Sequence, residues 1–200
     1  MPWIKTIPYA DAVGKLKKLY DKIKGPDDKV DNVLSIHSLR PQSLAGHMAL
    51  YKNVLHHPNN TLPKWYLETL GVYTSRLNKC DYCVDHHAAG LRRLLNDEPR
   101  YEAILKAINT DDAESVFSGR ELAGMKHVRV LTLAHHSLIK KDIEDLVASG
   151  FDEGEVLEIN QVVSYFNYVN RTVVGLGVTT AGDVLGLSPG DGGEGDWGHS

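Results

Sequence analysis

Two thiols, an imidazole and a carboxylate fall within one stretch of the chain, 68–87, which reads ETLGVYTSRLNKCDYCVDHH. Cys80 and Cys83 are the only cysteines, three residues apart; His87 follows Cys83 by four, and Glu68 precedes Cys80 by twelve. On a helix, spacings of three and four return to one face, so Cys80, Cys83 and His87 are predicted to share it. With Asn78 as the predicted cap of a helix over 79–95, both thiols stand in the first turn. Unpaired backbone N–H groups and the positive end of the helix dipole favour a thiolate there. An imidazole one turn on can take the thiol proton. A carboxylate within reach of that ring orients it and stabilises its cation. Such an assembly can attack the O–O bond of a peroxide, giving a sulfenic acid that the second cysteine converts to a disulfide. A thiol reductant must then reopen the disulfide by exchange.

The same residues allow other readings. Two cysteines at helical spacing can be inert packing residues. Cys80, Cys83 and His87 could bind zinc if His86, His56 or His57 supplied the fourth ligand, although none is an obvious one. His86 falls on a different part of the helical wheel and is predicted to be exposed. His135 and His136 read as core or surface histidines, and Trp65, Tyr73 and Tyr82 as packing residues.

The elements that must position these groups are all helical in pattern. Val13, Leu16, Leu19, Tyr20 and Ile23 keep helical spacing, as do Leu44, Met48, Tyr51 and Val54 after Pro41. Thr61 as N-cap and Pro63 in the first turn open a helix so apolar that it belongs in the interior. Glu68 lies inside that helix, an expensive place for a carboxylate without a partner. Further helices are predicted over 99–108, 119–138 (Ser118 with Glu121 as a capping box), 140–148 and 153–175 (Asp152 with Glu155). No segment alternates as a strand does. The reading is one all-α domain of about eight or nine helices. The final stretch, 188–200, SPGDGGEGDWGHS, is Gly-rich and acidic and is predicted to be a disordered tail.

Composition narrows the classes. The 200 residues are 42% apolar with a formal net charge of -4, enough to bury a core without a metal or disulfide staple. The densest basic run, KLKK at 15–18, alternates with apolar positions and reads as a solvated helix face, not a nucleic-acid surface. No apolar run approaches the roughly 18 residues of a membrane span, and the N-terminus lacks a secretory h-region. The expectation is a cytoplasmic chain with no nucleic-acid or membrane partner, where a C-x-x-C pair serves redox chemistry or metal binding more often than stability.

Glu68, eleven residues, Cys80, two residues, Cys83, three residues, His87: this spacing resembles that of the AhpD-like alkylhydroperoxidases, within the carboxymuconolactone decarboxylase superfamily. SRLNKCDYCVDHHAAGL looks like that family too, and SYFNYVNRTVVGLGV resembles the C-terminal helix of its peroxidase-related branch. The resemblance implies a helical bundle of the AhpD-like type over 1–187, with a redox core at about 61–96 and an N-terminal helical extension at 1–60. It implies a homo-oligomer, a trimer or hexamer. It also implies roles: Cys83 peroxidatic, Cys80 resolving, His87 and Glu68 a proton relay. A redox-active Cys80–Cys83 disulfide would then stand in place of any cofactor or metal, with a peroxide as substrate and a thiol or dithiol as reductant. The best-studied members carry a second histidine just before the second cysteine. This chain has Tyr82, which cannot act as a base near neutral pH with a pKa of about 10. The activity expected is a thiol-dependent peroxidase. A general thiol–disulfide oxidoreductase or redox sensor, and a decarboxylase-like enzyme of the same superfamily, are the alternatives.

Overall fold

The computed structural model describes residues 2–25 and 28–186, and among them are nine α-helices and no strand. They are α1 (Gly14–Ile23), α2 (Asn32–Ser35), α3 (Pro41–Tyr51), α4 (Lys64–Leu77), α5 (Asp81–Leu95), α6 (Glu98–Thr110), α7 (Gly119–Leu133), α8 (Lys140–Ala148) and α9 (Glu153–Gly175). The Gly-rich tail expected at 188–200 lies outside the described residues. The all-α expectation holds.

The helix that carries Glu68 is the centre of this arrangement. α4 packs against α5, α6, α7 and α9, and every residue from Tyr66 to Ser75 is buried. The apolar residues around its whole circumference require that position, since a single stripe would have needed only one neighbour. Each fully buried Leu or Val there stabilises the fold by about 1.5–3 kcal/mol relative to exposure. α9 can approach closely because Gly71 offers no side chain. The Phe166 ring occupies the space, with its Cε2 and Cζ atoms 2.2 and 2.3 Å from where a Cβ would stand.

α9 begins where the capping pattern predicts. Asp152 Oδ1 accepts the Glu155 N–H at 2.8 Å, and Glu155 Oε2 accepts the Asp152 N–H at 3.1 Å, closing the box. Three boundaries differ from the sequence reading. Thr61 does not cap α4; its N–H and hydroxyl, with the Leu62 N–H, donate to the Glu158 carboxylate, and Pro63 takes the N-cap position. α7 stops at Leu133 because Ala134 leaves the helical region (φ -146, ψ 39), and a short 3-10 turn, His135–Ser137, follows. The third difference, at Asn78, bears on the thiols.

α3 does not stop at Tyr51. It continues into a π-helical turn, Lys52–His56. That wider turn sets the His56 ring edge-on against Tyr51, 4.8 Å between centroids. Turns of this kind recur at functional sites.

Candidate active site

The chain reverses between α4 and α5 through a Schellman motif, not through an Asn78 N-cap. Lys79 adopts a left-handed conformation (φ 56), its N–H donates to Arg76 O at 3.1 Å, and the Cys80 N–H donates to Ser75 O at 2.9 Å. Asn78 therefore closes α4. Its side-chain amide donates to Asn167 Oδ1 and Asn170 Oδ1, both at 3.0 Å. The Asn170 amide donates in turn to Ser75 Oγ at 3.0 Å. Two polar side chains of α9 thus bolt the turn that precedes the cysteines.

The motif moves Cys80 to the N-cap of α5, with non-helical backbone (φ -101, ψ 84), and leaves Cys83 in the helix. Both thiols are buried and unlinked. Helical spacing put Cys80, Cys83 and His87 on one face; because Cys80 precedes the first helical residue, only Cys83 and His87 face a common cavity. Cys80 lines a separate groove of about 270 Å³ with Lys79, Asp81, Val173, Val178 and Thr180.

The two thiols are shifted in opposite directions. A hydrogen bond from the Cys83 thiol holds the Cys80 thiol below its ordinary value against burial, with the Cys83 backbone N–H and the Asn170 side chain adding to the fall. Cys83 is held well above its ordinary value, first by donating to Cys80, then by burial and by charge on Cys80. Of the two, Cys80 is the thiol whose ionisation is favoured and Cys83 the one that keeps its proton. Asn170, 1% exposed, favours the charged form of both. Sequence reasoning did not single it out, though a polar residue four positions beyond Phe166 on an apolar stripe was a legible signal.

Glu68 reaches His87. The His87 Nδ1–H donates to Glu68 Oε2 at 2.7 Å, with side-chain exposures of 15% and 5%. Burial alone would raise the Glu68 carboxyl. Charge and the hydrogen bond from His87, with His56 and Arg93 adding, outweigh it and hold the carboxyl below its usual range. An ionised acceptor fixes the proton on Nδ1 and leaves Nε2 as the basic nitrogen. Phe166 meets the His87 ring edge-to-face, 4.6 Å between centroids.

Cys83, Glu68 and His87 line one cavity of about 50 Å³, together with His47, Tyr51 and Tyr165. Its aromatic walls stay neutral. Burial raises Tyr51 and Tyr165 well above the ordinary tyrosine value, and lowers His47 to about 3. The charged or titratable groups that remain on its wall are Cys83, the Glu68–His87 pair and, from a cluster around Tyr82, Asp31 and His86.

That cluster is the second thing the sequence did not show. Tyr82 Oη–H donates to Asp183 Oδ2 at 2.6 Å and accepts the Val33 N–H at 3.1 Å. His86 is not exposed as expected: it stacks on Tyr82 at 4.5 Å, and its Nε2 lies 3.3 Å from Asp183 Oδ2. Asp31 completes the group. Burial pushes its carboxyl up to about 6, with the Asp183 carboxylate adding to the rise and His86 opposing it. An acid with a higher pKa in the folded chain binds its proton more tightly when folded. Its contribution is therefore most favourable in acid and is lost as pH rises from about 4 to about 6. Asp31→Asn removes that loss and should stabilise the protein at pH 8 by on the order of 2–3 kcal/mol, with no gain at pH 3.5. Thermal melts at the two pH values check this; an equal shift at both would mean that charge is not the cause.

Among the described residues, no group of three or more His, Cys, Asp and Glu side chains is arranged to hold a metal ion, and no helix is long and apolar enough to cross a membrane.

No protein-family model matches the sequence, and no curated protein does. Solved structures do match in shape. An uncharacterised peroxidase-related protein from Silicibacter sp. TM1040 superposes with a TM-score of 0.76 at 23% identity, covering 89% of this chain and 91% of the other. An alkylhydroperoxidase AhpD core protein, also uncharacterised and peroxidase-related, from Ralstonia eutropha JMP134 gives 0.77 at 20% identity over 89% and 91%. A protein of unknown function from Agrobacterium tumefaciens, suggested to be an AhpD antioxidant-defence protein, gives 0.61 at 22% identity over 72% and 93%. At these identities the likeness establishes the fold: this chain is an all-α domain of the AhpD-like type.

Proposed function

We propose that the protein is a thiol-dependent peroxidase of the alkylhydroperoxidase kind. The observation that carries this reading is that Cys83 opens on the same small cavity as the hydrogen-bonded Glu68–His87 pair. His87 takes the Cys83 proton, and the resulting thiolate attacks one oxygen of R–O–O–H. The S–O bond forms as the O–O bond breaks, and the proton on His87 passes to the departing RO⁻, giving ROH and a Cys83 sulfenic acid. The Cys80 thiolate, already favoured in the resting pair, attacks the Cys83 sulfur and displaces the hydroxyl as water once a proton is supplied. A thiol or dithiol reductant returns the Cys80–Cys83 disulfide to two thiols by exchange. Cys80 lines a groove apart from the peroxide cavity, so oxidant and reductant can approach different sulfurs. Tyr82 has no base to offer in this scheme, and His87 with Glu68 serves alone. The acting form we assign is a cytoplasmic homo-oligomer, a trimer or hexamer, with no cofactor beyond the disulfide.

Titration of the reduced protein with hydrogen peroxide and alkyl hydroperoxides tests the reading. One equivalent should consume both thiols and leave an intact protein lighter by two hydrogens, with the bond mapped to Cys80–Cys83. Inert thiols beside rapid exchange with disulfide substrates would favour the oxidoreductase alternative instead. Activity on small lactone acids in a protein lacking both cysteines would favour the decarboxylase alternative. Glu68→Gln keeps the shape of the relay but removes the charge that orients His87; peroxide turnover should fall roughly a hundredfold, checked by steady-state rates across pH.

A further inference from the structure

We infer that Asp183 is a specificity-determining latch: it fastens residues 179–186 across the thiol cavity as the wall that sets the size of molecule able to reach Cys83. The inference rests on the peroxidase reading only in naming that molecule a hydroperoxide.

Asp183 is the most heavily bonded residue of this segment. Its two carboxylate oxygens each accept the Asn32 N–H at 3.1 Å, and Oδ2 also accepts the Tyr82 hydroxyl at 2.6 Å with His86 Nε2 at 3.3 Å. Only 4% of its side chain is exposed. The Asn32 side chain adds two bonds, to Thr179 O at 2.9 Å and Ala181 O at 3.1 Å. At the far end the Arg93 guanidinium donates to Gly186 O.

Gly186 is where the segment meets the site. It lines the cavity with Cys83, has φ 77, and lies so close to α5 that a Cβ would stand 2.9 Å from Ala89 Cβ and 3.2 Å from Gly90 N. Gly90 in turn covers Glu68, whose Cδ is 3.9 Å from where a Gly90 Cβ would be. Two glycines thus let the segment press onto the relay with one backbone layer between.

Apolar burial does little to hold the segment down. Val184 and Leu185 are 42% and 46% exposed, so polar bonds centred on Asp183 do most of the fastening. Segments with few buried apolar contacts open locally at small cost. With the latch made, the cavity measures about 50 Å³. Benzene needs a cavity of about 150 Å³, so an aryl hydroperoxide cannot be enclosed there, whereas hydrogen peroxide and short alkyl hydroperoxides can.

The test compares native protein, Asp183→Ala and Asn32→Ala. Asn32→Ala removes only the side-chain bonds to the carbonyls of 179 and 181, at a half-buried position, and serves if Asp183→Ala folds poorly. The kcat/KM ratio of cumene hydroperoxide to hydrogen peroxide should rise about tenfold or more in Asp183→Ala, and in the same direction but less in Asn32→Ala. Alkylation of Cys83, mapped by mass after digestion, should accelerate more with a bulky maleimide than with iodoacetamide. Unchanged ratios in both variants, for peroxides and alkylating reagents alike, would overturn the latch. Selective acceleration by the bulky maleimide, with no peroxide turnover in any of the three proteins, would uphold the latch and overturn the peroxidase reading.

Discussion

Cys83→Ser should lower peroxide turnover by roughly a thousandfold or more, the scale on which losing a nucleophile registers. Serine nearly matches cysteine in shape, so the buried site should keep its fold, while its hydroxyl stays un-ionised beside His87. The partner variant makes the result informative. Cys80→Ser should still reduce one equivalent of peroxide, because Cys83 keeps its place in the cavity with Glu68 and His87. It should stop at the Cys83 sulfenic acid, which dimedone traps, and form no intramolecular disulfide. The electrostatics of the pair supply the rival outcome. Since Cys80 is the more readily ionised thiol, a reaction in which Cys80 attacked first would leave Cys83→Ser active in a single turnover and Cys80→Ser dead. Stopped-flow peroxide consumption on both variants, with mass mapping of the oxidised sulfur, separates the two. The lowered Cys80 thiol suits the second step of the proposed cycle, where a thiolate must meet the sulfenic acid.

The second large effect lies in the packing behind the site. Gly71→Ala places a methyl group about where the Phe166 ring now lies, since Cε2 and Cζ stand 2.2 and 2.3 Å from the ideal Cβ position. Carbon atoms do not approach that closely, and Phe166 is fully buried on the longest helix, so neither side can yield cheaply. Overpacking of this kind costs about 3 kcal/mol, which in a chain of this length lowers the melting temperature by roughly 6–12 °C. The damage should reach the chemistry as well. Phe166 supports the His87 ring edge-to-face, so a displaced Phe166 tilts the imidazole away from Glu68. Gly46→Ala in α3 is the control, because nothing lies within 4 Å of the added methyl. A Gly71→Ala protein that melts with the native one would refute the close-packing argument, whatever its activity.

Much of the architecture was legible because local rules and tertiary packing agree. The start of α9 follows from a reciprocal Asp152–Glu155 box that closes within four residues and needs no partner. The interior position of α4 follows from apolar residues on every side of the helix. Burying Glu68 in that helix demanded a counterpart, and the His87 ring 19 positions later provides it. Where local rules competed, they misled. Asn78 and Thr61 both read as N-caps, yet the left-handed Lys79 turned Asn78 into the end of α4, and Glu158 from α9 claimed the Thr61 donors.

The sequence by itself determined the helical class, the central carboxylate-bearing helix and the pairing of Cys83 with His87 on one helical face. Those properties rest on side-chain periodicity and on spacings of a few residues, which a single helix enforces. Only the tertiary structure decided which thiol ionises more readily, which sulfur opens on which cavity, and what Tyr82 does in place of a histidine. Each depends on groups distant in the chain: Asn170 is 95 residues from Ser75, and Asp183 is 101 residues from Tyr82. Charge, burial and hydrogen bonding act through space, so residues brought together by folding set the chemistry of a motif whose own spacing was plain from the start.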